Sequence, residues 1–249
     1  MIVAAQNPTI TWEKPPADWI PEEEPVDNTG QPLIAGALSE VLELAGYLGS
    51  ERLVAGNLGI CATLAGQLVI KAPDWFWASP VQPVSGDRRS YTPHLEGSVP
   101  AVVMEFLSDK DGGEYSAKPT YPPGKWFFYK QVLQVPFYVL FDSAGGTLEV
   151  YQLQQGRYQL LPPQANGRYP IPPLQLELGV WQGDKEGRQG YWLRWWNPEG
   201  ELLLWGTERL EQERQRAEQE RQRAEQEHQR AERLAEYLRR QGLDPGSLL

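Results

Sequence analysis

The apolar side chains of this chain change their spacing several times, and each spacing predicts an element. Over residues 33–48 (LIAGALSEVLELAGYL) they fall at 34, 37, 38, 41, 42, 44, 45 and 48, the pattern of one helix face. Pro32 suits the start of that helix and Gly49 its end. Residues 51–61 (ERLVAGNLGIC) and 66–77 (GQLVIKAPDWFW) predict two strands around a Gly-bearing turn. Residues 99–107 (VPAVVMEFL) are almost continuously apolar, which predicts a strand covered on both faces. Polar, turn-rich loops at 79–98 and 108–121 flank it. Residues 124–134 (GKWFFYKQVLQ) predict a second helix, ended by Pro136. FYVLFD (137–142) and TLEVYQL (147–153) predict two strands of a hairpin turning at Gly145-Gly146.

The order helix, three strands, helix, two strands is that of a mixed α/β core. Beyond it, QGRYQLL, LELGVWQG, GYWLRWW and ELLLW predict shorter strands, separated by turns at Asn166-Gly167, Gly183-Asp184 and Pro198-Glu199-Gly200. They read as an antiparallel extension of the same sheet. The pattern then changes abruptly. From Glu208 to Arg240 there is no Gly or Pro, most residues are good helix formers, and Ala recurs every seven residues at 217, 224 and 231. Opposite charges recur three and four residues apart, as in Glu213/Arg216, Glu218/Arg221, Arg216/Glu220 and Arg223/Glu227. Each such pair adds only about 0.2–0.5 kcal/mol, but there are many. One helix over 208–240 is therefore expected. The positions that would complete an apolar seam with the alanines are Arg214, Arg221, His228 and Ala235. A coiled coil needs both positions apolar, so a solvated single helix is favoured over a weak helical pair.

Four segments follow: a Pro- and acid-rich arm (1–32), read as a loosely ordered terminus in preference to one tacked onto the core by Trp12 and Trp19, an α/β core (33–155), an antiparallel extension (156–207) and a charged helical tail (208–249). The net charge of −10 is spread as −5, −4 and −1 over residues 1–30, 31–205 and 206–249. No segment is strongly basic, which weighs against nonspecific nucleic-acid binding. The single cysteine, Cys61, allows no intrachain disulfide and fits a reducing compartment. No signal peptide is apparent, and no stretch approaches the ~20 apolar residues of a spanning helix. A cytoplasmic protein is expected.

Two acids stand where acids are costly. Glu105 lies inside VVMEFL, where a carboxylate must be paired, ligated or protonated. Asp74 ends the preceding predicted strand, so the two could converge on one hard cation, the arrangement that metal-assisted phosphodiester hydrolysis requires. Each also has a plainer reading, Glu105 as a satisfied buried carboxylate and Asp74 as a turn residue after Pro73. Lys125, at the start of the second helix, is either a charge-balancing partner at that edge or a solvated lysine. His94 and His228 are too far apart in sequence to suggest a metal cluster, and Gly-rich phosphate loops are absent.

The run APDWFW, DRRSYTPHLEG, VPAVVMEFLS and GKWFFYKQVLQVPFYVLFD resembles the Uma-two-type restriction endonuclease family, a bacterial family abundant in cyanobacteria with a PD-(D/E)xK nuclease-like fold. Residues 73–74, 105–108, 125–129 and 137–142 match its Pro-Asp at a strand end, its Glu-x-Leu-Ser, its Lys-bearing helix leading to a Tyr, and its strand ending in Asp. GRQGYWLRWWNPEG and the Arg-Ala-Glu repeats resemble the C-terminal part of one subgroup, so the likeness spans residues 31–249. It implies a restriction-endonuclease-like mixed sheet core (αβββαβ) with added antiparallel strands and a long charged C-terminal helix. It also implies a DNA-cleaving site with Asp74 and Glu105 as ligands of Mg2+ or Mn2+, Lys125 as the helix lysine, and Glu40 or Glu43 as a further acid. Leu107 stands two residues after Glu105, so the usual Glu-x-Lys is absent. SDKDGGEYS replaces the family's Ser-Pro-Ser-Thr after Ser108, and QPLIAG replaces a His-bearing segment before the first helix. Two functions remain: a metal-dependent DNA endonuclease, or a catalytically degenerate member that binds or scaffolds through its aromatic surface and tail. DNA is the expected partner of the first, with no membrane, and residues 208–240 offer a weak self-association surface.

Overall fold

The computed structural model describes residues 9–15, 29–107 and 112–241, and the chain forms two compact units, residues 1–203 and 204–249. In the first unit the strands are, in chain order, β1 (Ile10–Thr11), β2 (Leu53–Ala55), β3 (Ile60–Leu64), β4 (Gln67–Lys71), β5 (Trp75–Ala78), β6 (Val102–Phe106), β7 (Phe137–Asp142), β8 (Thr147–Gln154), β9 (Arg157–Leu160), β10 (Tyr169–Ile171), β11 (Leu176–Lys185) and β12 (Arg188–Trp196). The helix α1 (Gly30–Leu44) precedes β2. Between β6 and β7 a short α2 (Lys125–Phe127) runs on as a π-helical turn, Phe128–Leu133. The central sheet has the order β2-β5-β6-β7-β8-β9. Its pairs are antiparallel except β6–β7, which is parallel and needs the crossover through α2. The mixed α/β core with added antiparallel strands and a long C-terminal helix is the architecture expected from the pattern.

Helix α1 starts and ends earlier than its apolar spacing predicts. Gln31 is drawn into the interior, and Gly46 closes the helix with φ +76°, its N–H donating to Glu43 O. That left-handed turn is cheap for glycine and makes Gly46, not Gly49, the stop. The two long strands expected over 51–61 and 66–77 are each broken. β2 and β5 pair in the central sheet, whereas β3 and β4 form a hairpin of a second sheet with β1. Asn57, at φ +52°, turns the first break, and Pro73, which has no N–H to give a ladder, marks the second. Trp12 packs against the core, so this part of the arm is tacked down and not loose, and Trp19 lies outside the described residues. The expected extension of the central sheet is the single strand β9. β10, β11 and β12 form a separate antiparallel sheet, ELLLW contributes only an isolated bridge, Trp196 to Leu202, and Pro162 and Pro163 take the chain off the edge after β9.

Alternation along the central strands sorts the core into two faces. Phe76, Ala78, Val103, Tyr138 and Leu140 pack in one cluster with the β3–β4 hairpin and with Phe128, Tyr129, Val132 and Leu133 of the crossover helix. The opposite face carries Trp75, Met104, Phe106 and Phe141. There the Trp75 indole donates to Ser39 Oγ of α1 at 3.1 Å, and its ring lies 6.0 Å from that of Trp195 on β12. The crossover helix and α1 therefore cover opposite faces.

The second unit is dominated by α3 (Gly206–Arg240), two residues longer at its start than the sequence pattern predicts. Glu208 accepts from the Trp205 N–H at 2.8 Å, satisfying a donor ahead of the first turn. The helix spans roughly 50 Å at 1.5 Å per residue. None of its residues is buried, and its ion pairs, such as Glu218–Arg221 at 3.1 Å, are exposed. Among the described residues no helix is long and apolar enough to cross a membrane. Because α3 rests on local propensity and screened surface pairs, its helicity should be salt-sensitive. Circular dichroism of the full chain and of a chain ending at residue 207 should differ by a helical component that weakens between low and high salt. The truncated chain should keep a cooperative thermal transition.

Candidate active site

Glu105 is fully buried in β6, the third strand of six, and its side chain points to the face covered by the crossover helix. Both of its oxygens are taken by that helix. Lys125 Nζ stands 3.1 Å from Oε2, and the Tyr129 hydroxyl donates to Oε1 at 2.9 Å. The two donors are four residues apart, on one side of the helix, so a single turn delivers both. That turn widens into the π-helical segment, a form found disproportionately at functional sites. Trp126 fixes the helix to the sheet, its ring meeting those of Tyr138, Tyr151 and Tyr158 edge-on at 5.7, 4.8 and 5.2 Å. Such pairs contribute about 0.5–1.5 kcal/mol each beyond the area they bury.

Asp74 reaches the same face by strand register. β5 and β6 pair Trp75 with Met104 and Phe76 with Val103, so Asp74 falls opposite Glu105 one step beyond. Directly opposed side chains on an antiparallel pair stand about 5 Å apart at Cβ. The Pro-Asp dipeptide has a local reason. The Pro73 carbonyl turns away to accept from Asn57 N–H, so the ladder ends, and the Asp74 carboxylate takes over by accepting from the Phe106 N–H at 2.6 Å. The other side of the Phe106 peptide is held by Gln31, whose Nε2 donates to the Phe106 carbonyl at 2.9 Å. The end of β6 is thus tied by a side chain from β5's approach and another from α1.

The structure brings Asp74, Glu105 and Lys125 together and sends the two helix acids elsewhere. Glu40 pairs with Lys185 of β11 at 2.8 Å, and Glu43 is exposed. Both lie on α1, across the sheet from Glu105, and Glu40 sits about 13 Å along the helix axis from Gln31. Three residues escaped the sequence reading as site members. Tyr129 was visible as a Lys-x-x-x-Tyr spacing. Glu114, in a 3-10 turn at Gly112–Tyr115, stands 4.0 Å from Lys125 Nζ, and only the folded loop reveals this. Gln31 carried no signal beyond its place before the helix pattern. His94 packs against Trp12 with the two rings tilted, and His228 lies 3.3 Å from Glu232, so neither joins the site. Cys61 is buried and its thiol is pushed up to about 11 by desolvation, which keeps it unreactive.

Burial dominates the electrostatics. It pushes the Glu105 carboxyl up to about 8, with Lys125 pulling the other way and Asp74 adding to the rise. Burial also lowers the Lys125 ammonium, but the charges of Glu105, Asp74 and Glu114 outweigh it and hold the lysine protonated. Tyr129 is driven well above its ordinary range by burial and by Glu105, so it remains a donor. Among the described residues no three His, Cys, Asp or Glu side chains gather as a metal-holding group. Asp74 and Glu105 are two hard oxygen donors in register.

A family model described as "Putative restriction endonuclease", Uma2, matches residues 21–185. The chain belongs to this family. Among solved structures, a putative nuclease of the DUF820 group from Anabaena variabilis ATCC 29413 is similar at 15% identity and a TM-score of 0.40, over 61% of this chain and 78% of that one. A search of curated proteins finds no match. Within the family match lie Asp74, Glu105, Lys125 and the whole crossover.

Two outcomes follow from this geometry. Burial raises the Glu105 carboxyl even beside Lys125, so the folded chain binds its proton more tightly than the unfolded chain does, and that contribution to stability is lost as pH rises through about 8. The unfolding free energy of the metal-free protein, from urea titrations, should fall from pH 5 to pH 8.5, and Glu105→Gln should flatten that fall. Gly124, at the start of α2, has no room for a Cβ, which would lie 2.1 Å from the Ser116 carbonyl oxygen. Gly124→Ala should cost about 1–3 kcal/mol in chemical denaturation by pushing the 3-10 turn off the helix.

Proposed function

We propose that this chain is a divalent-metal-dependent DNA endonuclease that hydrolyses phosphodiester bonds at the edge of β5 and β6. The observation that carries this is the register pair: Asp74 opposite a fully buried Glu105, with the ammonium of Lys125 on the same carboxylate. The donor set suits Mg2+ or Mn2+, which take one or two carboxylates and fill their remaining places with water and phosphate oxygens. Asp74 and Glu105 would hold the cation. When bound, it supplies a Lewis acid toward the phosphate and lowers the pKa of a coordinated water. The protein's own groups then have separate tasks. The Phe106 N–H fixes the rotamer of Asp74. Tyr129 holds one Glu105 oxygen and fixes the carboxylate's plane. Lys125 is held charged at a partly exposed position, so it serves to bind a phosphate oxygen and balance charge developing on it.

One observation favours the alternative, a degenerate member that binds without cutting. Both Glu105 oxygens already have protein partners, so the site is electrostatically satisfied by Lys125 and Tyr129. The two readings separate in one assay. Supercoiled plasmid should be nicked only with Mg2+ or Mn2+, and Asp74→Ala and Glu105→Ala should each abolish nicking while retaining the wild-type dichroism spectrum. Metal binding without cleavage of duplex, single-stranded or branched DNA would favour the binding protein. Cleavage that survives in Glu105→Ala would overturn this assignment of the site.

A further inference from the structure

Lys125 sits between two carboxylates. It binds Glu105 at 3.1 Å and faces Glu114 at 4.0 Å. Glu114 is held in place by its backbone, its carbonyl accepting from the Tyr138 hydroxyl at 2.9 Å, and the next residue, Tyr115, donates to Glu149 at 3.0 Å. Its side chain is 12% exposed, and its Oε2 is buried with no hydrogen-bond partner among the described residues. A buried carboxylate oxygen left unpaired is costly unless a donor arrives. The Lys125 ammonium stands 4.0 Å from the other oxygen of the same carboxylate, Oε1.

From this geometry we infer that Glu114 is a positioning residue, which receives Lys125 when a divalent cation takes Glu105. The inference rests on the endonuclease reading of the site and adds a residue that neither the family match nor the sequence motifs assign. With Oε1 of Glu105 accepting from Tyr129, an ammonium and a divalent cation compete for Oε2, and like charges at that separation repel strongly away from bulk water. Either the lysine stays and blocks the cation, or it moves. A flexible four-carbon stem lets Nζ rotate through the short distance to Glu114 Oε1 with no backbone motion, and the move gives this largely buried carboxylate a charged partner. Glu114 thereby offsets the cost of uncovering Glu105. The close packing of Gly124 against Ser116 sets the separation between the helix that carries Lys125 and the turn that carries Glu114.

The test measures Mn2+ binding to the full-length protein, by the loss of the free aqua-ion signal in electron paramagnetic resonance, and needs no cleavage. Glu114→Gln keeps the side chain's size but removes its charge. It should weaken Mn2+ binding by about tenfold or more, the range typical for groups that support a metal ligand from outside the coordination shell. Lys125→Gln, or Lys125→Met if the first variant does not fold, removes the competitor and should tighten Mn2+ binding. In either lysine variant Glu114→Gln should then have no effect. If Glu114 instead ligated the metal or merely stabilised the loop, its effect would persist without the lysine, and that result overturns the inference. Wild-type binding unchanged by Glu114→Gln overturns it as well, while leaving the endonuclease reading standing. No Mn2+ binding by wild type or by either lysine variant would overturn the endonuclease reading and the inference together.

Discussion

A carboxyl group placed in the middle of a fully covered strand is the constraint around which this structure is arranged. Glu105 cannot remain there without compensation, because desolvation of an unpaired charge costs far more than a marginal fold can absorb. The compensation comes from one turn of helix. Lys125 and Tyr129 reach Glu105 only if the crossover enters at a set height above β6, and Trp126, between them, locks that height against β7, β8 and β9. The polar contact and the aromatic packing specify the same placement.

The opposite face does different work. Trp75, Ser39 and Trp195 join α1 and β12 to the back of the sheet. Through Gln31 that layer also grips the carbonyl at which β6 ends, while Asp74 grips the N–H of the same residue from the front. The strand end that presents Glu105 is thus clamped from both layers. Of the acids of α1, Glu40 ties the helix to β11 through Lys185, which also pairs with Glu186, and Glu43 is exposed.

The parts of this arrangement that were legible in the sequence were those with a local cost. A Glu within VVMEFL and a Pro-Asp at a strand end each break a pattern, and Lys125 opens a helix whose spacing is clear; the structure brings these three together. What stayed hidden depended on which chain segments meet. Apolar runs at 51–61 and 66–77 announce strands but not their sheet, so the hairpin β3–β4 looked continuous with β2 and β5, although Asn57 and Pro73 mark the breaks. Glu114 lay in a polar loop indistinguishable from solvated surface, and Gln31 looked like a residue before a helix. Glu40 and Glu43 share a helix with Gln31, but periodicity does not say which layer that helix joins.

The single parallel pairing, β6 with β7, has a consequence for how the molecule can change. It forces the chain to leave the sheet and return, and that excursion carries Glu114, Gly124, Lys125 and Tyr129. Asp74 and Glu105 are placed by strand register, whereas the side chains that bind the Glu105 carboxylate, Lys125 and Tyr129, belong to one connection. A lengthened or shortened connection would replace the counter-charges above Glu105 without shifting the register of any strand. The strands that place the acids and the segment that supplies their counter-charges are therefore separate parts of the chain, and each can change without the other.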